Sequence, residues 1–244
     1  MLDYDREAEG YDASRGGEAR AAAAAEAVER LLPAGTRALV DVACGTGSVT
    51  RRLRRPGRAV LGVDRSRGMV ALASGRLQHG AAVGDATRLP IGPARVDAVV
   101  VIWLLHLLSD AAPALAEGAR VLRAGGVLVT TVDKDRAAFS VESDVAAVMA
   151  PLRRKYAPDA ADSFDRVVTL AAGHGLRVSG EANFAGIGQG CSPRQWRERI
   201  IEGRIAWCRE ADPAQVADLR RELSLLPDQE VARPDPLYRL VALS

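Results

Sequence analysis

The sequence predicts an α/β fold built on a doubly wound, mostly parallel sheet of seven strands with helices on both faces. Three observations carry this. Short apolar runs at 38–42, 59–63, 81–83, 97–102 and 126–132 alternate with helical patterns, and strands joined by crossover helices build parallel sheets. The first three runs each carry or adjoin a carboxylate, Asp41, Asp64 and Asp85. The first also runs straight into a glycine-rich turn, Asp41-Val42-Ala43-Cys44-Gly45-Thr46-Gly47.

That turn is the most informative stretch. Gly45 and Gly47 can take backbone angles closed to other residues, and without a Cβ they let the main chain approach a ligand. A helix expected from about Ser48 to Arg55 would present free N–H groups to it. Asp64 follows Gly47 by 17 residues, room for one crossover helix. In mononucleotide-binding βαβ units an acid there accepts hydrogen bonds from ribose hydroxyls. Asp85 comes 21 residues later, where it can accept from an exocyclic adenine amine. Each acid alone reads equally as a turn or cap residue. Together with the glycine turn they point to a nucleotide-type cofactor.

With Val63-Asp64, Gly84-Asp85-Ala86 and Leu122-Arg123-Ala124-Gly125-Gly126-Val127-Leu128, the turn resembles the class I S-adenosylmethionine-dependent methyltransferases. It is most similar to their ubiquinone/menaquinone-methyltransferase-like group. The resemblance covers about residues 1–135 well and the rest loosely. It implies a Rossmann-like sheet with an antiparallel seventh strand, S-adenosylmethionine as cofactor and S-adenosylhomocysteine as product. Carried over by resemblance, the cofactor residues are Tyr11, Arg15, Asp41, Ala43, Cys44, Gly45, Gly47, Asp64, Arg65, Asp85, Ala86, Ile102 and Trp103. Ala43 stands where many relatives carry the first glycine of the motif, a small change expected to be tolerated.

A chain of 244 residues with 48% apolar content can bury one substantial core. One domain is expected: an amino-terminal flap and helix over 1–35, a cofactor-binding core over 36–135, and a substrate lid with the last strands over 136–244. The net charge of +2 comes with no basic tail, which argues against nucleic acid as partner. Arg51-Arg52-Leu53-Arg54-Arg55 reads as a solvated helix face. The three cysteines, Cys44, Cys191 and Cys208, lack metal spacing and are odd in number, so neither a zinc site nor a disulfide framework is expected. With no secretory signal and no apolar run near 18 residues, the expected compartment is the cytoplasm, with no membrane partner.

Residues 17–32 read as an alanine-rich helix stopped by Pro33-Ala34-Gly35, preceded by a polar flap from Tyr4 to Gly16. Beyond Thr131 the pattern predicts a helix over 164–173, strands over 176–182 and 237–243, and between those strands an amphipathic helical insertion over 193–226 opening at Ser192-Pro193.

Methyl transfer from a sulfonium is an in-line displacement, so holding donor and acceptor in line is the main requirement. A general base helps when the acceptor is a hydroxyl or a protonated amine. His106, just past the fourth strand, is the base candidate by position; its other reading is a helix-start histidine packed beneath the site. Ile102 and Trp103 belong at the carboxyl end of that strand, beside the transferable methyl, with Trp103 either shaping the acceptor pocket or filling core. Tyr11 and Arg15 resemble flap residues that close over the cofactor, the arginine through a forked donor pair. His174 and His79 read as structural and exposed, and Cys44 as packing rather than nucleophile. Trp196, Ile200, Ile201, Ile205 and Trp207 read as a buried helical face that as a lid would also touch the acceptor.

An NAD-dependent oxidoreductase shares this sheet edge, but the turn lacks the third glycine of the dinucleotide fingerprint and no Tyr-x-x-x-Lys pair occurs. Nucleic-acid base methylation is disfavoured because Ile102-Trp103-Leu104-Leu105 replaces an Asn- or Asp-Pro-Pro-aromatic turn. A non-catalytic cofactor-binding protein fits the same binding motifs. The reading that accounts for most residues is methylation of a small organic molecule at oxygen, nitrogen or carbon, of the kind met in secondary metabolism.

Overall fold

The computed structural model describes residues 5, 10–14, 16–157 and 160–244. Seven strands form one sheet: β1 (Ala38–Val42), β2 (Ala59–Asp64), β3 (Ala81–Val83), β4 (Val96–Val101), β5 (Leu122–Val132), β6 (Val178–Ala185) and β7 (Leu237–Leu243). Their order is β3-β2-β1-β4-β5-β7-β6. The pairs among β1 to β5 are parallel, whereas β7 runs antiparallel between β5 and β6. Strand order reverses between β1 and β4, the place where open α/β sheets bind ligands at their carboxyl edge.

Among the described residues the α-helices are α1 (Tyr11–Ser14), α2 (Gly17–Glu29), α3 (Arg67–Arg76), α4 (Ala112–Val121), α5 (Asp144–Tyr156), α6 (Phe164–Ala172), α7 (Pro193–Ile201), α8 (Ala206–Glu210) and α9 (Pro213–Leu225). Successive strand residues point to opposite faces, so the sheet builds two cores. Val40, Val99, Val101, Leu115 and Leu128 form one, against α4 and α6. Leu39, Ala98, Val100 and Val129 form the other, against the alanine face of α2. Alanine suits that contact because it favours the helix and lets it lie close to the sheet. A third core, Val145, Met149, Trp196, Ile200, Trp207, Leu219 and Leu223, joins α5 with α7, α8 and α9.

The structure departs from the sequence expectations in six places. The helix expected over 48–55 is only a 3-10 helix, Thr50–Leu53. Arg54 turns extended and Arg55 precedes Pro56, which disfavours continuation of a helix. Strand β5 starts at Leu122, four residues early, with its pairing to β4 shifted between Val96 and Ala98. Strand β6 lies later, at 178–185, and α2 stops at Glu29. The insertion is three helices, broken at Gly203 (φ +67°) and restarted at Pro213, where the Asp212 carboxylate accepts from Ala214 and Gln215 N–H. Helix α5, capped by Ser143 and carrying Pro151 inside it, was not resolved as a helix in the sequence.

Candidate cofactor and acceptor site

The turn after β1 is held from two sides. Cys44 N–H donates to the Val63 carbonyl at 3.1 Å, and Gly47 N–H to the Cys44 carbonyl at 3.0 Å. Gly45 N–H donates to Asp64 Oδ2 at 2.8 Å, while Asp64 Oδ1 accepts from Ser66 N–H at 2.9 Å. Ala43, Gly45 and Gly47 are all left-handed, at φ +60°, +54° and +76°. The two glycines differ in what surrounds them. A Cβ on Gly47 would meet Ala73 Cα and Cβ at 3.2 Å, so this glycine lets α3 pack on the turn. A Cβ on Gly45 would meet nothing within 4 Å. Open space in front of Gly45, beside an oriented carboxylate, is the cradle that a ribose-bearing cofactor requires.

Asp41 lies beneath the turn, 3% exposed, where Thr50 Oγ1 donates to its Oδ2 at 2.5 Å. Burial pushes its carboxyl up to about 7; the Thr50 bond opposes this and the nearby Asp64 charge adds to it. The Cys44 thiol is driven well above the ordinary range, first by burial and then by Asp41 and Asp64. A Cβ on Gly62 would meet Cys44 Sγ at 2.8 Å, so the thiol fills the space over that glycine. A protonated, packed thiol is no nucleophile.

The amino-terminal segment fastens beside the turn through carboxylates that sequence reasoning did not single out. Thr46 Oγ1 donates to Asp12 Oδ1 at 2.6 Å, and Arg76 bridges Asp12 Oδ2 (2.6 Å), Thr46 Oγ1 (2.8 Å) and the Thr46 carbonyl (3.1 Å). Asp5 Oδ1 accepts from Ser66 Oγ at 2.5 Å and Gly68 N–H at 2.9 Å, at the first turn of α3. These bonds hold the Asp5 carboxyl below its usual range. The signal for them was local: acids recur through the polar flap, and of these Asp12 finds donors at the turn and Asp5 at the start of α3. Tyr11 is half-buried on α1, and Arg15 lies outside the described residues.

Asp85 is exposed just past β3, and its Oδ1 accepts from Thr87 N–H and Oγ1, both at 2.8 Å. These bonds, with a smaller contribution from the Arg65 charge, lower its pKa. It therefore closes a turn, at the same edge of the sheet as Asp64. Ala86 packs against the sheet core.

Ile102 is buried past the end of β4, and Trp103 follows in a left-handed backbone at φ +56°. Trp103 N–H donates to Thr131 Oγ1 at 2.9 Å. Its ring packs edge-on to Phe184 and Tyr238, with centroids 5.7 and 5.8 Å away, and the Arg20 guanidinium stacks 3.5 Å from its centroid. Arg20 is another residue that sequence reasoning missed, being hidden in an alanine-rich helix. His106 is half-buried in the 3-10 helix Leu105–Leu107. His174 and His79 are exposed. Trp196, Ile200 and Trp207 are buried in the third core with Ile205 packed against it, whereas Ile201 is 62% exposed. No helix among the described residues is long and apolar enough to cross a membrane.

Against known proteins, residues 40–130 match the methyltransferase domain family. An uncharacterised methyltransferase of Mycobacterium tuberculosis is 41% identical over 104 residues, 42% of this chain and 42% of that protein. A demethylmenaquinone methyltransferase of Thermotoga maritima is 38% identical over 105 residues, 42% of this chain and 46% of its own. The chain thus spans less than half the length of these relatives. Among solved structures, geranyl diphosphate C-methyltransferase of Streptomyces coelicolor overlays with a TM-score of 0.53 at 17% identity, covering 91% of this chain and 78% of that one. At that identity the likeness speaks for the fold. The matched segment spans the glycine turn, Asp64, Asp85 and the end of β4, and over that segment the chain is similar to the methyltransferase domain.

Proposed function

We propose that this protein transfers a methyl group from S-adenosylmethionine to a small organic molecule. The observation that carries the reading is the open space at Gly45 beside the clamped Asp64 carboxylate, on the carboxyl edge where strand order reverses. Bound there, the cofactor supplies a methyl carbon on a sulfonium, which leaves as a neutral thioether. Asp64 keeps lone pairs for ribose hydroxyls while it holds the turn, and Asp85 accepts from the adenine amine. Arg65, Ala86 and the Asp41-to-Gly47 backbone complete that wall. Tyr11 and Arg15 close over the cofactor from the flap, the arginine toward its carboxylate.

Ile102 and Trp103 border the methyl, and the rate comes chiefly from holding the acceptor in line and dry. His106, the base candidate, stands in the segment just after them, and it acts only where the acceptor must lose a proton during transfer. A small uncharged or weakly charged acceptor is supported by the near-neutral net charge and by the helical lid. The name of the Thermotoga maritima relative, a demethylmenaquinone methyltransferase, points the same way, to an organic acceptor of the kind also met in secondary metabolism. Three free thiols suit a reducing cytoplasm. The hydride-transfer alternative has nothing comparable in its favour.

Two measurements test this. Calorimetric titration with S-adenosylhomocysteine should give a saturable one-to-one isotherm, and the absence of binding to folded protein would overturn the assignment. Methyl-labelled cofactor incubated with a panel of a quinol, a phenol, an amine and a carboxylic acid then identifies the acceptor atom.

A further inference from the structure

The carboxyl ends of β4 and β6 and the amino end of β7 meet on one edge of the sheet, because β7 alone is antiparallel. Each contributes an aromatic ring there: Trp103, Phe184 and Tyr238. The Phe184 and Tyr238 rings pack with centroids 5.3 Å apart, and Tyr238 Oη donates to Gln189 Oε1 at 2.8 Å. Arg20, from α2, lies on this group at 3.5 Å from the Trp103 centroid and 5.8 Å from that of Tyr238, and is 8% exposed. A flat, weakly hydrated guanidinium is the cation best suited to lie on an indole face out of water.

Trp103 needs such a hold. A bulky residue at φ +56° persists only where its surroundings over-determine it. Its backbone is tied to Thr131, but its buried indole N–H has no hydrogen-bond partner among the described residues. The ring is therefore placed by its neighbours' faces and edges, and Arg20 covers one face. The same segment reaches the cofactor turn. Asp12 bonds Thr46, and between the two residues Gly16 sits so close to the 186–189 loop that a Cβ there would lie 2.5 Å from the Ile187 carbonyl.

We propose that Arg20 is a positioning residue that sets the Trp103 ring at the acceptor side of the site, and that the Asp12-to-Arg20 segment makes this setting respond to occupation of the cofactor turn. The proposal rests on the reading of that turn as the S-adenosylmethionine site. In this proposal Arg20 acts through Trp103.

The test is fluorine NMR of the full chain labelled with 5-fluorotryptophan, with the Trp103 resonance assigned by Trp103→Phe and S-adenosylhomocysteine as probe. In Arg20→Met, which keeps length and loses charge, the Trp103 resonance should move and broaden while those of Trp196 and Trp207, in the lid core, stay in place and report an intact fold. Addition of S-adenosylhomocysteine should shift the Trp103 resonance of the parent protein and not that of Arg20→Met. Arg20→Lys should restore part of the response. Calorimetry should find S-adenosylhomocysteine affinity changed less than about tenfold, since Arg20 is not in the turn. An unmoved Trp103 resonance in Arg20→Met, or an equal ligand response in both proteins, overturns the proposal. Failure of S-adenosylhomocysteine to bind the parent protein overturns the cofactor reading instead, and the apo-state comparison still judges the contact between Arg20 and Trp103.

Discussion

Asp64 accepts the Gly45 amide hydrogen at 2.8 Å, so the acid that ends β2 holds the turn that follows β1. Two neighbouring strands are locked at the point where the cofactor is read to bind, and the carboxylate is oriented before any ligand arrives. Such preorganisation removes part of the ordering cost of binding.

Asp64→Ala removes both the clamp and the ribose acceptor. A charge-assisted hydrogen bond contributes about 1.5 to 3 kcal/mol, so S-adenosylhomocysteine should bind roughly ten- to over a hundredfold more weakly by calorimetry. Unchanged affinity in a folded Asp64→Ala protein would remove the ribose assignment.

The left-handed turn separates two kinds of backbone substitution. Gly45→Val puts a β-branched side chain into the open space and into a conformation that costs about 1 to 2 kcal/mol for a residue with a Cβ. Cofactor binding should be lost with a modest fall in thermal midpoint. Ala43 already bears that cost at φ +60°, so Ala43→Gly should raise stability by up to about 1 kcal/mol in urea denaturation. A fall would show that the alanine methyl packs usefully.

Asp41 gives the protein a pH signature. Its folded pKa of about 7 lies above the unfolded value of 3.8, so folding takes up a proton on this group between those values. The stability it contributes is fully present below about pH 4 and is lost as pH rises through about 7, to a limit of roughly 4 kcal/mol. Asp41→Asn keeps an acceptor for Thr50 and cannot ionise. It should therefore be more stable than the parent protein above pH 7 and lose that advantage in mild acid, as read from urea midpoints across the range.

Positioning and base catalysis part at two residues. If His106 takes a proton, His106→Ala should lower the turnover number by about 10² to 10⁴ and activity should fall as pH drops through the histidine's pKa. If in-line placement carries the rate, Trp103→Ala should be the more damaging change. We expect the second outcome. Single-turnover rates of both variants with a working acceptor decide it, and a much larger loss for His106→Ala would defeat this expectation.

The parallel half of the sheet was legible because its strands are apolar runs separated by helical patterns, and periodicity reports such alternation well. The first crossover was misread as an α-helix, since Pro56 constrains Arg55 in a way that helical spacing of the arginines conceals. In the turn after β1 the motif does not show what each residue faces. Gly45 and Gly47 look alike in the motif, yet one faces open space and the other faces Ala73. The partners of Asp12 lie 34 and 64 residues away in Thr46 and Arg76, and Arg20 meets Trp103 only once α2 lies on the sheet. Contacts of that separation leave no local pattern to read.

The helices around Trp196 and Trp207 bury their apolar residues against one another rather than against the sheet. That cluster shares no residue with the two cores of the sheet. Substitutions there are therefore expected to leave β1 and the turn that follows it in place, so the two parts of the chain are free to diverge separately. The methyltransferase-domain match, over residues 40–130, ends before this cluster begins.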